Sequence, residues 1–278
     1  MQLFWALAAL VFFQPPVEKK WNDYVYGITV AKDGEKWVVE SSVNSQFAAG
    51  DVVVSIDGTA VKPTDDLKKM MDNAVESEKE KTRFVIKRMQ DPSARKKRFD
   101  TLVLQVQPMT RLDWVLSYFE KTVDEVEGGT TYRPKNVAVS FPITLTSTVM
   151  IDRSQDISVV LIINYAAPDW IFMEQALFKL GDKSIEHALL ETGRKVLGGG
   201  TVLETGVLIG ENAKSIGGMA KAAAEKMAES KQWTEKMIIR VKGSEGILDH
   251  EVSESEFIGL LAAVELERLL KQKASGVK

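Results

Sequence analysis

The chain offers few residues that could carry out chemistry. It has two histidines, His187 and His250, and no cysteine among its 278 residues. A Ser-His-Asp triad would need one of these histidines as its base. No G-x-S-x-G elbow is present in the sequence, and the S-x-x-K match at 93–96 lies in a charged loop rather than at a helix start. The sequence therefore indicates a protein that is not an enzyme.

The same scarcity argues against a metal or a cofactor. His187 falls in a segment that we expect to be helical, with Glu191 one turn later, and a polar surface pair is the simpler interpretation of these two residues. Two distant histidines without cysteine do not make a structural zinc site, and no calcium-loop spacing is present. The glycine-rich stretch 196–206 lacks both the dinucleotide spacing and a phosphate-loop lysine, so we expect a turn or strand connection there. We expect no metal and no cofactor.

The amino terminus carries an apolar run from Leu3 to Phe13, followed by Pro15 and Pro16. A helix of this length covers roughly half of a ~30 Å hydrocarbon core, which suits an export signal or a short anchor within residues 1–20. The alternative is an element docked on the core. We expect an exported or membrane-associated protein, with a cytoplasmic or organellar one as the alternative. A net charge of -3 provides no global field that would select nucleic acid.

Residues 21–108 alternate short β-type runs with Asp/Gly turns and contain one helix. We expect hairpin strands around Asp33-Gly34, a third strand closed by Asp57-Gly58, and two strands after the helix. Thr64 is the expected N-cap, with Asp65 and Asp66 in the first turn. The apolar stripe of this helix comprises Leu67, Met70, Met71 and Ala74.

Residues 109–278 predict a second, α+β domain with an antiparallel sheet and helices. The pattern indicates an amphipathic helix over 110–126, three or more strands, a helix from about 211 to 232, a further strand and a last helix. Ser253 and Glu256 form a capping box at the start of that last helix. The aromatics Trp114, Trp170, Phe172 and Phe178 are predicted core residues. The domain has only a faint likeness to uncharacterised bacterial envelope modules, and this assigns no residue.

The order of elements in the first domain resembles a PDZ domain of the bacterial type, over residues 23–108. The stretch "GDVVVSIDGTAV", 50–61, between two hairpin strands and a capped helix carries the resemblance. It implies a small PDZ-like β-barrel or sandwich with a capping helix. It also implies that a partner's free C-terminus or extended segment adds as a strand to a groove.

The resemblance places "VYGI", 25–28, at the loop that holds a terminal carboxylate. Its backbone donors would be Tyr26, Gly27 and Ile28, although the first position of the loop is Val rather than Gly. The helical wall of the groove would comprise Thr64, Lys68 and Met71. Lys68 would favour an acidic ligand side chain, unless it is simply a solvated helix residue.

A basic loop between the last two strands of this domain contains Arg95, Lys96, Lys97 and Arg98. It is a candidate contact for an anionic membrane surface, and otherwise a solvated loop. The sequence as a whole predicts a non-catalytic adaptor or scaffold that binds a protein or peptide, not nucleic acid. The alternative is a structural subunit of a membrane-associated assembly, in which the PDZ-like fold packs against neighbours.

Overall fold

A computed structural model describes residues 24–42, 44–76, 80–90, 98–126, 128–135, 141–230 and 236–276. The fold is α+β, and its strands pair antiparallel throughout the described residues. The chain divides into two compact units, and the boundary falls between Trp114 and Val115. The apolar run at 3–13 lies outside the described residues. Within them, no helix has the length and apolarity that a membrane span requires.

In the described residues, unit 1 is built around helix α1, Leu67–Glu76, and one main sheet. Its strands are β1 Tyr24–Val25, β2 Ile28–Asp33, β3 Lys36–Ser42, β4 Val52–Ile56, β5 Thr59–Ala60, β6 Thr82–Met89, β7 Phe99–Val106 and β8 Met109–Thr110. The main sheet has the order β2-β3-β4-β6-β7, with β5 attached to β4 and a separate β1-β8 ribbon. The expected barrel does not close among the described strands, because β2 and β7 remain sheet edges.

Two turns in unit 1 follow directly from sequence. The β2-β3 hairpin turns at Gly34, with φ 59°, and the β4-β5 hairpin turns at Asp57 and Gly58, with φ 48° and 84°. Positive φ values are costly for most residues but not for glycine, and asparagine and aspartate tolerate them. The sequence therefore places these turns correctly.

The expected start of α1 is wrong by two residues. Asp66, not Thr64, is the N-cap: its Oδ1 accepts a hydrogen bond of 3.1 Å from the Lys69 N–H. Asp65 instead closes a turn before the helix by accepting the Lys62 N–H at 2.6 Å. Several adjacent residues could cap here, and the turn fixed by Asp65 decides which one does. The apolar stripe of α1 is confirmed, since Leu67 and Ala74 are buried and Met70 and Met71 are half-buried.

The described part of unit 2 contains two antiparallel sheets. Its strands are β9 Phe119–Val123, β10 Thr130–Pro134, β11 Ile143–Ile151, β12 Ile157–Ala167, β13 Met173–Leu180, β14 Lys183–Ala188, β15 Glu191–Val196, β16 Val202–Ile209, β17 Met237–Gly243 and β18 Gly246–Glu251. One sheet has the order β15-β16-β12-β11-β10-β9 and the other β14-β13-β17-β18. The glycine-rich stretch is the connection between β15 and β16, as expected.

The described residues contain three further α-helices: α2 Arg111–Leu116, which crosses the boundary between the units, α3 Gly210–Ser230 and α4 Glu254–Ala274. The prediction of one helix over 110–126 is wrong, because α2 has six residues and Phe119–Val123 form β9. Pairing of β9 with β10 over five positions outweighs the helical spacing of the apolar residues. The capping box of α4 is confirmed, with Ser253 and Glu256 in the expected roles.

Helix α4 is buried on most of its circumference and packs on β11, β12 and α3. Its close approach to α3 depends on Gly217, where an added Cβ would lie 2.5 Å from Val264 Cγ2. The absence of a side chain at Gly217 therefore allows α3 to pack closely on another helix.

Candidate functional site

The loop that precedes β2 is anchored by Tyr26. The Tyr26 side chain is buried; its Oη lies 2.7 Å from Thr82 Oγ1 and its ring packs edge-to-face on Phe84. Burial raises the pKa of the Tyr26 phenol, which therefore stays protonated and donates to the Met71 carbonyl oxygen at 3.4 Å. The side chain thus fixes the loop against α1, and only the backbone of Tyr26 remains for a ligand.

The carbonyl groups of Tyr26 and Gly27 both point to the side of the loop where Ser42 and Asn44 lie. Asn44 donates through Nδ2 to the Tyr26 carbonyl at 3.2 Å and through its backbone N–H to the Gly27 carbonyl at 3.4 Å. Ser42 Oγ lies 3.3 Å from the Gly27 carbonyl oxygen. Because C=O and N–H point in opposite directions across a trans peptide, the N–H groups of Gly27 and Ile28 point away from Asn44.

Gly27 has φ 71°, a left-handed conformation that glycine adopts without steric cost, and the N–H groups of Gly27 and Ile28 lie on the side away from Asn44. Adjacent donors in such a turn form a concavity that binds anions. The loop directly precedes β2, which pairs with β3 along one edge and with no other described strand. The two N–H groups therefore lie at the head of an edge strand.

The expected groove residues of α1 differ in their positions. Met71 is half-buried against the unit 1 core, and Lys68 is exposed on the first turn of the helix. Thr64 is exposed in the segment before the helix. Of these three residues, Met71 is next to the loop, because its carbonyl oxygen accepts the hydrogen bond from Tyr26 Oη.

The sequence did not reveal the ion pair that supports this part of unit 1. Asp51, which is 1% exposed, accepts two hydrogen bonds from Arg88, at 2.8 Å from Nε and 2.7 Å from Nη2. The Asp51 hydrogen bond raises the pKa of Arg88. Asp51 Oδ2 also accepts the Ala48 N–H, so the pair clamps the Gly-Asp turn to β6. Asp51 and Arg88 are 37 residues apart, and no local pattern signals their contact.

Both histidines lie on strands and contact helix residues. His187 lies on β14 rather than on the expected helix, and Glu191 belongs to β15, so they share no helix face. Ser215 Oγ donates to the Asn212 carbonyl at 2.8 Å, which makes His187 Nε2, 3.1 Å away, the donor to that hydroxyl. His250 Nε2 lies 3.0 Å from the buried Glu256 carboxylate. Both contacts connect strands to helices.

No group of three or more potential metal ligands occurs within the described ranges.

Of the predicted core aromatics, Trp114 and Phe178 are fully buried, but Phe172 is 36% exposed. Phe172 stacks on Trp170 and lies under the Arg194 guanidinium at 5.1 Å. Its φ of 54° is held by the buried Glu204 carboxylate, which accepts the N–H groups of 171, 172 and 173. This long-range contact turns the ring outward and overrides the strand spacing.

Three of the four expected anion-contact residues, Arg95, Lys96 and Lys97, lie outside the described residues, as does the S-x-x-K match. Arg98 is described and exposed, immediately before β7.

No protein-family model, curated protein or solved structure matches this chain. The role of the loop is therefore inferred from its own geometry.

Proposed function

We propose that unit 1 is a PDZ-like module of a non-catalytic adaptor, which binds the C-terminus or an extended segment of a partner protein by strand addition along β2. The observation that carries this proposal is the loop at 26–28. Its carbonyls are tied to Ser42 and Asn44, and its Gly27 and Ile28 N–H groups point the other way. A terminal carboxylate there would accept both hydrogen bonds without needing a charged side chain.

The β2 edge supports the same mode of binding. A strand with one unpaired edge presents N–H and C=O groups that a second extended chain can pair with. Main-chain pairing supplies affinity in strand addition, and pockets for alternate side chains supply selectivity. Met71 and Lys68 on α1 are the groove residues that would contact those side chains.

The deciding experiment measures binding of the full chain to C-terminal peptides as free acids and as C-terminal amides, by fluorescence anisotropy. Binding of the acids that is lost on amidation is the expected result. Equal binding of both forms, or no binding, would overturn the proposal. It would leave the role of a structural subunit in a larger assembly.

Asn44→Ala gives a direct test of the loop. It removes the Nδ2 donor that holds the Tyr26 carbonyl, a hydrogen bond worth about 1 kcal/mol, and should weaken binding of the acid by about five-fold. Gln46→Ala is the matched control, because Gln46 is exposed two residues further on and contributes no side-chain hydrogen bond to the loop. Equal affinities in the two variants would contradict the assigned role of Asn44.

The two lysines at the start of α1 test selectivity. Lys68→Glu should reverse a preference for acidic ligand side chains and leave the requirement for a free carboxylate intact. Lys69→Glu makes the same charge change at the next exposed position, a quarter-turn around the helix. If both variants change selectivity equally, the effect is one of net charge and Lys68 does not line the groove.

A further inference from the structure

One face of the β6-β7 hairpin in unit 1 combines exposed apolar side chains with cations. Register places Met89 opposite Phe99, Lys87 opposite Thr101 and Val85 opposite Val103, all on the same side of the sheet. The alternate residues of these strands, including Phe84 and Ile86, form the core on the other side. We call the outward side the β6-β7 face.

The apolar residues of this face are open to solvent at the sheet edge. Phe99 is 41% exposed and Val103 is 53% exposed. They lie four residues apart on β7, which has no described strand on its outer side. Burying such side chains contributes about 25 cal/mol per Å² of apolar surface. A partner that covers Phe99 and Val103 therefore gains binding free energy from their burial.

The cations of the face are not neutralised within the described part of the chain. Arg83 and Lys87 are exposed on β6, and neither has an ion-pair partner among the described residues. Arg98 is exposed immediately before β7, next to Phe99. The outward positions from 83 to 89 and from 99 to 105 contain no aspartate or glutamate.

On the outer side of the second sheet of unit 2, three cations are held in ion pairs, namely Lys242–Glu186, Arg240–Asp249 and Lys236–Glu251. Lys179 is exposed on the same side and has no ion-pair partner among the described residues. The whole chain has a net charge of -3. The β6-β7 face is distinguished by exposed cations that lie beside the exposed apolar side chains of Phe99 and Val103.

We propose that the β6-β7 face binds an anionic lipid surface. Each Lys or Arg near such a surface contributes about 1 kcal/mol, and the long stems of Arg83 and Lys87 can lie along apolar surface while their charged ends reach the headgroups. Val103 lies between these two charges in the register and Phe99 lies beyond Lys87, and both side chains would enter the headgroup region. Nucleic acid is disfavoured because single-strand binding requires several stacking aromatics, and Phe99 is the one aromatic on the face.

The experiment is co-sedimentation of the full chain with vesicles of phosphatidylcholine alone or mixed with phosphatidylglycerol. The full chain should bind the mixed vesicles more tightly, and added salt should weaken that binding. Neutralising Arg83→Gln and Lys87→Gln together should reduce partitioning by about twenty-five-fold, or about five-fold per charge. Phe99→Ser should reduce it by about ten-fold through lost apolar contact.

The matched control is Lys179→Gln with Lys195→Gln, which removes the same charge at exposed positions of unit 2. Equal loss of binding in both double variants would overturn the proposal, and so would unchanged binding in all of them. Equal binding of wild type to both kinds of vesicle would also overturn it, since the cations would then play no part. Binding to polyglutamate in place of vesicles would identify an acidic protein as the partner instead.

Discussion

Adjacent residues of the same type can have opposite roles, as two glycines of α3 show. A Cβ at Gly217 would meet Val264 Cγ2 at 2.5 Å, whereas a Cβ at Gly218 would meet nothing within 4 Å. Valine is restricted to one main rotamer in a helix, so Val264 cannot turn away easily. Gly217 is thus required by packing, and Gly218 is not.

We expect Gly217→Ala to lower the free energy of unfolding by about 1–3 kcal/mol through overpacking against α4. Gly218→Ala should raise it by about 1 kcal/mol, because alanine favours the helix over glycine. Urea unfolding of the two variants measures both changes. Destabilisation by Gly218→Ala would show that this position carries a constraint that the static packing does not reveal.

At the scale of elements, the amino terminus of α4 is connected to two strands through one carboxylate. Glu256 is buried and accepts the Leu145 N–H of β11 at 2.7 Å, the Ser253 N–H at 2.7 Å and a hydrogen bond from His250 of β18. Burial alone would raise its pKa, but these hydrogen bonds to the ionised form outweigh burial and hold the pKa below its ordinary value of 4.5. Glu256 therefore joins β11, β18 and α4.

This connection predicts a pH dependence of stability. Because the folded-state pKa of Glu256 is lowered, its contribution is fully present above pH 4.5 and is lost as pH falls through the folded pKa. Glu256→Gln should lower the free energy of unfolding by about 1–3 kcal/mol at neutral pH. It should also flatten the acid limb, which is the fall of the unfolding free energy as pH decreases below 4.5. Glu254→Gln, an exposed change in the same first turn, should leave that limb unchanged. An identical acid limb in wild type and Glu256→Gln would refute the assignment.

The segment 110–126 shows where a local sequence pattern fails to predict the secondary structure. The segment 110–126 has helical spacing, yet it contains the short α2 and the strand β9. The same period-3.6 reading succeeds for α1, α3 and α4. The difference is that β10 is available to pair with 119–123, and pairing with a partner further along the chain is invisible to a local window.

At the scale of the molecule, each unit buries a core of its own. Phe84 is fully buried in the unit 1 core, and Phe178 is fully buried in unit 2. The two units are therefore expected to lose structure separately when one core is damaged.

Phe84→Ala should cost about 3–5 kcal/mol. It should remove hydrogen-exchange protection from β3, β4 and β6 while β11 and β12 keep theirs. Phe178→Ala should give the reverse pattern. Loss of protection in both units by either variant would show that the chain unfolds as a single cooperative structure.

The sequence by itself determined the features that depend on short-range geometry. These are the positive-φ turns at Gly34 and Gly58, the alternating strands, the apolar stripe of α1 and the capping box at Ser253. Each follows from residues within a few positions of one another. The mixed α+β class follows from the same periodicities.

Only the tertiary structure decided the contacts that join distant parts of the chain. Asp51 reaches Arg88, Glu204 turns Phe172 outward, Asn44 orients the loop at 26–28, and Glu256 meets Leu145 across 111 residues. A buried carboxylate is stable only where donors satisfy it, and those donors come from other elements. The proposed site depends on the direction of the Gly27 and Ile28 N–H groups. That direction is likewise set by a distant residue, because Asn44 holds the carbonyl group of the same peptide on the opposite side.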